Sequence, residues 1–249
     1  MKLLLDVGNS RIKSALCEEG RLHSYQACQY SKREIEVTFD SMLSERTELE
    51  QIVVASVAGK AVSSHIRTYF SRHCSAGINF IESSHEAKGV TNAYAEPAQL
   101  GVDRWLAMIA AWNYYKAPLC VVDCGTAVTI DFVSNEGHHL GGYIVPGTYL
   151  MAASLDANTQ QISINSAVKD VTITPGLNTE SCIKNGVVLT MKSLVEAACL
   201  QFTKTLESTI LCVLTGGDAE QLMTSLDVDV EFEPHLVLNG IAILTGDAG

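Results

Sequence analysis

Leu3-Leu4-Leu5-Asp6-Val7-Gly8-Asn9 and Leu119-Cys120-Val121-Val122-Asp123-Cys124-Gly125-Thr126 are the two stretches whose reading decides the fold. Each is a short apolar run that ends in a carboxylate and a glycine turn. A run of this length bounded by turn residues reads as a buried strand. Each leads straight into a second strand, at 11–17 and at 127–133. In the later one Val128, Ile130 and Phe132 alternate with Thr129 and Asp131, the period of a half-buried strand. The second Asp-x-Gly lies 117 residues after the first. One such turn is commonplace, but two in the same strand–turn–strand context predict a duplicated domain.

Working outward, the first half continues with a strand over 21–28, after a turn at Glu19-Gly20, and another over 52–57. Helices are expected over 61–72 and 103–116. In the latter, Trp105, Met108, Ile109 and Trp112 make one apolar face. The second half predicts a strand over 138–145, helices over 148–157 and 181–206, and a strand over 209–214. The last of these ends in Thr215-Gly216-Gly217-Asp218, and a short helix follows. An apolar helix over 235–245 closes the chain. No long linker interrupts this order, so two halves packed around a cleft are expected.

Composition narrows the function. At roughly 150 residues per domain, 249 residues fit one large or two small domains. With 47% apolar and 18% charged residues, wholesale disorder is excluded. A net charge of −11 argues against nucleic acid or an anionic membrane as partner. No run approaches the roughly 18 apolar residues of a membrane span, and three leucines before Asp6 are too few for a signal peptide. The cytoplasm is the expected compartment. Eight cysteines without a Cys-x-x-Cys pair read as free thiols, and their spacing supports no structural zinc.

A strand ending in Asp before a glycine hairpin turn suits phosphate chemistry. Glycine lets backbone N–H groups approach phosphate oxygens. Asn9, Ser10 and Thr126 add side-chain donors, and Lys13 adds a positive charge. The strand-end carboxylates can hold a cation that bridges phosphates. Neither a Walker loop nor a Gly-x-Gly-x-x-Gly fingerprint occurs. Taken alone, Thr215-Gly216-Gly217-Asp218 reads first as a tight βα connection and second as a rest for a ribose or flat ring.

Longer motifs surround these turns. They are Asp6-Val7-Gly8-Asn9-Ser10-Arg11-Ile12-Lys13, then Asn92-Ala93-Tyr94 with Pro97 and Gly101-Val102-Asp103-Arg104-Trp105. Asp123-Cys124-Gly125-Thr126-Ala127, Gly141-Gly142 with Pro146-Gly147, Asn178-Thr179 with Gly186, and the late Gly216-Gly217 turn follow in order. Together they resemble the type III pantothenate kinases, of the acetate kinase, sugar kinase, Hsp70 and actin superfamily, from end to end. The resemblance implies an α/β fold of two duplicated ribonuclease-H-like (actin-like ATPase) halves with a central cleft. The halves are expected at 1–117 and 118–249. It implies transfer of the γ-phosphoryl of ATP to pantothenate, the first step toward coenzyme A.

The resemblance also assigns residues. Asp6, Val7, Gly8, Asn9, Ser10, Arg11, Ile12 and Lys13 match the first nucleotide loop, and Thr126 matches a second phosphate contact. Tyr94, Gly101, Val102, Asp103, Arg104 and Thr179 match pantothenate-binding positions, with Asp103 as the general base. Asp123 matches the ligand of a monovalent cation, potassium or ammonium, and magnesium accompanies ATP, with Asp6 a candidate to hold it. A homodimer is implied. Two departures stand out. Ser10 occupies a position where Thr is common, and Asn158-Thr159-Gln160-Gln161 is more polar than the family's continuation.

Residue chemistry is compatible with these roles. Phosphoryl transfer is mostly positioning and charge stabilisation, often with an aspartate to accept the hydroxyl proton. Arg104 offers a planar fork suited to a carboxylate or phosphate. Bland readings stand beside these: Asp103 as a helix N-cap, Arg104 in a surface ion pair, Tyr94 as a packed aromatic. His138 and His139 point to opposite faces of a strand and form no joint metal site. Val188, Met191, Val195, Ala198 and Phe202 read as core or subunit contact, and Gly246–Gly249 as a frayed end. Two rival functions remain: a kinase of another small hydroxy acid or sugar on the same fold, and a non-catalytic nucleotide-binding regulator.

Overall fold

A computed structural model describes residues 1–31, 35–43, 49–158 and 172–246. The polar residues 159–161 and the end at 247–249, singled out above, lie outside the described residues. The chain divides into two compact units, Met1–Tyr114 with Leu236–Gly249, and Tyr115–His235.

The first unit runs β1 (Lys2–Val7), β2 (Arg11–Glu18), β3 (Arg21–Gln29), α1 (Ile35–Leu43), β4 (Gln51–Ser56), α2 (Lys60–His73), β5 (Gly77–Phe80), β6 (Glu86–Ala87), β7 (Val90–Thr91) and α3 (Val102–Tyr115). Its sheet has the order β3-β2-β1-β4-β5. The first three strands are antiparallel neighbours, and β4 and β5 run parallel to β1. Leu3, Leu5 and Val7 sit on one face, packed with Ile52, Phe39, Ile66 and Phe70. Glu19 (φ 48°) and Gly20 (φ 80°) make the left-handed turn between β2 and β3.

The second unit runs β8 (Leu119–Cys124), β9 (Ala127–Val133), β10 (His139–Pro146), α4 (Thr148–Asn158), α5 (Thr179–Leu206), β11 (Leu211–Thr215), α6 (Ala219–Met223) and β12 (Val230–Phe232). Its sheet order, β10-β9-β8-β11-β12, repeats the first with the same strand directions. Even the irregularities match, because the third strand of each sheet carries a register shift against its neighbour. Ser24 (φ 53°) lies at one and Gly141 (φ 101°) at the other. The duplication expected from the two Asp-x-Gly turns is therefore a duplication of topology.

The final helix α7 (Leu236–Leu244) departs from the expected boundary. The sequence reading carries it with residues 118–249. Instead it belongs to the first unit and packs on β1 and β2. Two features fit it there. Leu236, Val237, Leu238, Ile241, Ala242 and Ile243 are all buried, so the helix needs cover on several sides. Gly240 allows close approach to α3, since a Cβ there would lie 2.7 Å from the carbonyl carbon of Leu106.

The short elements α1, β5, β6, β7 and β12 escaped the sequence reading. In α1 the apolar set Ile35, Phe39 and Met42 is interleaved with Glu36 and Asp40 over about two and a half turns. Among the described residues no helix is long and apolar enough to cross a membrane.

Candidate functional site

In the first unit, β1 is buried through Val7 because its leucines fill the core, and Asp6 at its end is 9% exposed. The chain then reverses at Gly8, whose N–H donates to the Arg11 carbonyl at 3.0 Å. Asn9, Ser10 and Arg11 are exposed on the turn. Lys13 returns opposite Asp6 in the β1–β2 register. Val7 and Ile12 are fully buried, so they contribute backbone to the turn while their side chains anchor it.

Tyr30, just beyond β3, locks this turn. Its hydroxyl donates to the Gly8 carbonyl at 2.8 Å, and its N–H donates to the Ser10 carbonyl at 3.3 Å. Burial raises its pKa. The sequence reading missed Tyr30. It lies 22 residues from Gly8 and meets it only through the β2–β3 pairing.

In the second unit three turns converge. Gly125 N–H donates to the Ala127 carbonyl at 3.1 Å, closing the turn that repeats the first. Gly147 N–H donates to the Thr126 carbonyl at 2.9 Å, and a Cβ on Gly147 would lie 2.8 Å from that oxygen. From the third turn, Asp218 N–H donates to the Cys124 carbonyl at 3.0 Å, and Asp218 Oδ2 accepts from Thr148 Oγ1 at 2.9 Å. Gly216 (φ 99°) lies so close that a Cβ would be 2.5 Å from Asp123 Oδ1. The Gly-Gly turn and Pro146-Gly147, separate motifs in the sequence, thus clamp the Asp123 turn.

Asp123 pairs in register with Thr215 on β11, which puts both side chains on one face of the sheet. Thr215 Oγ1 is buried and has no hydrogen-bond partner among the described residues. An orphaned hydroxyl beside a carboxylate is an all-oxygen donor set, which suits a hard cation. The thiol of Cys124 is held neutral by burial and by the charges of Asp123 and Asp218. Thr179 is the first residue of α5 and is exposed. It follows Asn178, whose side chain caps the helix by accepting from Ser181 N–H at 2.8 Å.

The remaining predicted residues lie in the first unit between β7 and α3. Asn92 organises this segment. Its Oδ1 accepts from Tyr94 N–H at 2.9 Å, and its Nδ2 donates to the carbonyls of Ser84 at 3.2 Å and Pro97 at 3.3 Å. Helix α3 then starts at Val102. Asp103 is therefore within its first turn, not its N-cap, and Oδ1 accepts from Arg104 N–H at 2.8 Å. A Cβ on Gly101 would lie 2.6 Å from the same oxygen, so glycine leaves room for the carboxylate.

Arg104 is only 6% exposed, which rules out the surface ion pair. Its Nη1 donates to Tyr94 Oη at 3.1 Å, with the guanidinium 5.8 Å from the centre of the Tyr94 ring. Tyr94, Gly101, Asp103 and Arg104 are thus brought together. In the second unit, His139 Nε2 is bonded to Asp131 Oδ1 at 3.0 Å with both side chains buried, while His138 precedes β10 and is exposed.

Residues 2–201 match the sequence profile of the type III pantothenate kinases. The chain belongs to the type III pantothenate kinase family. Curated relatives agree. The type III pantothenate kinase of Hahella chejuensis is 36% identical over 243 residues, covering 98% of this chain and 96% of that one. That of Nitrosococcus oceani is 31% identical over 252 residues, covering 99% and 94%. Among solved structures, a Campylobacter jejuni protein described as a Baf family transcriptional activator matches with a TM-score of 0.63 at 22% identity, covering 98% of each chain. A Sinorhizobium meliloti protein described as a 2-dehydro-3-deoxygalactonokinase matches with a TM-score of 0.61 at 11% identity, again covering 98% of each. At these identities the structures speak for the fold, that of the actin-like ATPases and sugar kinases.

Proposed function

We propose that this pantothenate kinase family member transfers the γ-phosphoryl group of ATP to the primary hydroxyl of pantothenate. The products are 4'-phosphopantothenate and ADP, the first step toward coenzyme A. The observation that carries this reading is the buried Arg104, held against Tyr94 beside the Asp103 carboxylate. An acidic protein that takes two anionic substrates needs such placed cations, because its net field opposes them.

Asp103 orients the pantothenate hydroxyl and takes its proton as the new O–P bond forms and the bond from Pγ to the bridging oxygen breaks. A loose transition state asks for little proton removal before transfer, so orientation is the larger part of this role. The Arg104 fork and Tyr94 Oη bind the acid's polar groups, with Gly101, Val102 and Thr179 completing that subsite. Residues Asp6 to Lys13 and Thr126 receive the nucleotide phosphates. Asp123 with Thr215 is where potassium or ammonium fits, and Asp6 offers a carboxylate for the magnesium carried by ATP. Bound there, these cations supply neutralisation of phosphate charge.

We further infer a cytoplasmic homodimer acting on small molecules, with neither nucleic acid nor membrane as partner. The regulator reading predicts loss of the carboxylates, whereas Asp6, Asp103 and Asp123 are all retained. The test is product formation followed by mass spectrometry, with magnesium-ATP and pantothenate in potassium or in sodium alone. Phosphopantothenate that requires potassium and disappears in Asp103→Asn supports the assignment. No product under any condition, with ATP still bound, refutes it.

A further inference from the structure

Sequence spacing joins none of the cysteines, but the fold joins three of them. Cys120 on β8 and Cys212 on β11 are register partners on adjacent parallel strands. Cys199 on α5 packs over them, and the three sulfurs all lie within 4.8 Å of one another. The side chains are 0%, 1% and 8% exposed and sit in the apolar core of the second unit with Val122, Met191, Val195 and Leu214. Buried cysteines usually act as small hydrophobes, yet three meeting at one point make a ligand set as well as a packing cluster.

We propose that Cys120, Cys199 and Cys212 form a three-coordinate site for a soft monovalent metal ion, Cu(I). The argument rests on donor type, number and spacing. Three sulfurs with no carboxylate or imidazole select a soft ion over a hard one. A trigonal ion with sulfurs about 2.3 Å away sets those sulfurs about 4.0 Å apart, so side-chain adjustments of under about 1 Å close the site. Structural zinc takes four protein ligands, and among the described residues this cluster offers three.

Each sulfur binds as its thiolate. Copper enters already reduced, the protons of Cys120, Cys199 and Cys212 leave for water as three S–Cu bonds form, and no electron is transferred. The bound ion would staple α5 to β8 and β11, the strands that carry Asp123 and Thr215.

The test uses the full chain under anaerobic conditions. Cu(I) is titrated in competition with a chromophoric Cu(I) chelator, while sulfur-to-copper charge-transfer absorption and the thermal midpoint are followed. One equivalent held against the chelator, with the band present and the midpoint raised, is expected for the unsubstituted protein and for Cys182→Ser, which alters an exposed thiol. Cys199→Ser should weaken binding by more than the roughly 100-fold that loss of an outer-shell partner costs. Cys212→Val, which keeps the volume apolar, should do the same and covers the case in which the serine variant does not fold. No chelator-resistant copper in the unsubstituted protein, or copper retained undiminished in either cluster variant, overturns the proposal. So does loss of the equivalent in Cys182→Ser.

Discussion

Substituting Gly216 by alanine tests how the second unit holds its phosphate turn. Gly216 has φ 99°, a conformation that costs a residue with a Cβ about 1–3 kcal/mol. The added Cβ would lie 2.6 Å from the Cys124 carbonyl carbon and 2.5 Å from Asp123 Oδ1. The first neighbour is backbone in a buried strand and cannot swing away. Relieving an overlap of this kind costs roughly 1–3 kcal/mol more. The sum is about 2–6 kcal/mol. At about 2–4 °C per kcal/mol for a chain of this size, the thermal midpoint should fall by at least about 4 °C. Circular dichroism melts of Gly216→Ala would be read against Gly186→Ala. Gly186 lies inside α5 with nothing among the described residues within 4 Å of its added Cβ, so that variant should gain about 1 kcal/mol. If Gly216→Ala melts with the unsubstituted protein, the close approach of the third turn to Asp123 is wrong.

Asn92→Ala removes three hydrogen bonds from a residue only 5% exposed, and should raise the KM for pantothenate far more than the KM for ATP; steady-state kinetics with each substrate varied checks this. Gly101→Ala should lower kcat at least about tenfold with a small change in melting, because the new methyl displaces the Asp103 carboxylate; equal loss of kcat and stability would refute it. Tyr30 has a raised pKa in the folded state. The stability it contributes is therefore fully present below the tyrosine value of about 10 and lost as pH rises through the folded value. Urea midpoints of the unsubstituted protein should fall more steeply above that pH than those of Tyr30→Phe.

The repeated hairpins were legible because the signal is local. Leu3–Leu5 and Cys120–Val122 are continuous apolar runs, and each ends in Asp-x-Gly within two residues. The long helices were legible for the same reason, although α3 is buried on every side from Arg104 to Trp112 and not only on the face that Trp105 and Trp112 mark. What escaped depends on contacts between distant residues. Tyr30 reaches Gly8 across a hairpin, and Thr148 reaches Asp218 across 70 positions. Arg104 gives no sign in its neighbours that it is buried, since that follows from how α3 sits in the first unit. Cys199 joins Cys120 and Cys212 only once α5 lies across two strands. The sequence marks the tail as an apolar helix, but nothing local in it points to the first unit, where it packs on β1 and β2.

That last helix also sets a schedule for folding. Domains of a growing chain generally fold as units, the earlier one first. Here the earlier unit includes Leu236–Leu244, which are made only after the whole of Tyr115–His235. The unit begun at residue 2 stays incomplete while the whole of Tyr115–His235 is synthesised, and during that time the surface of β1 and β2 that α7 covers has no helix upon it. The later unit is continuous and can be finished first. An arrested chain ending before residue 236 should therefore hold a folded second unit behind an unfinished first one, in need of a chaperone.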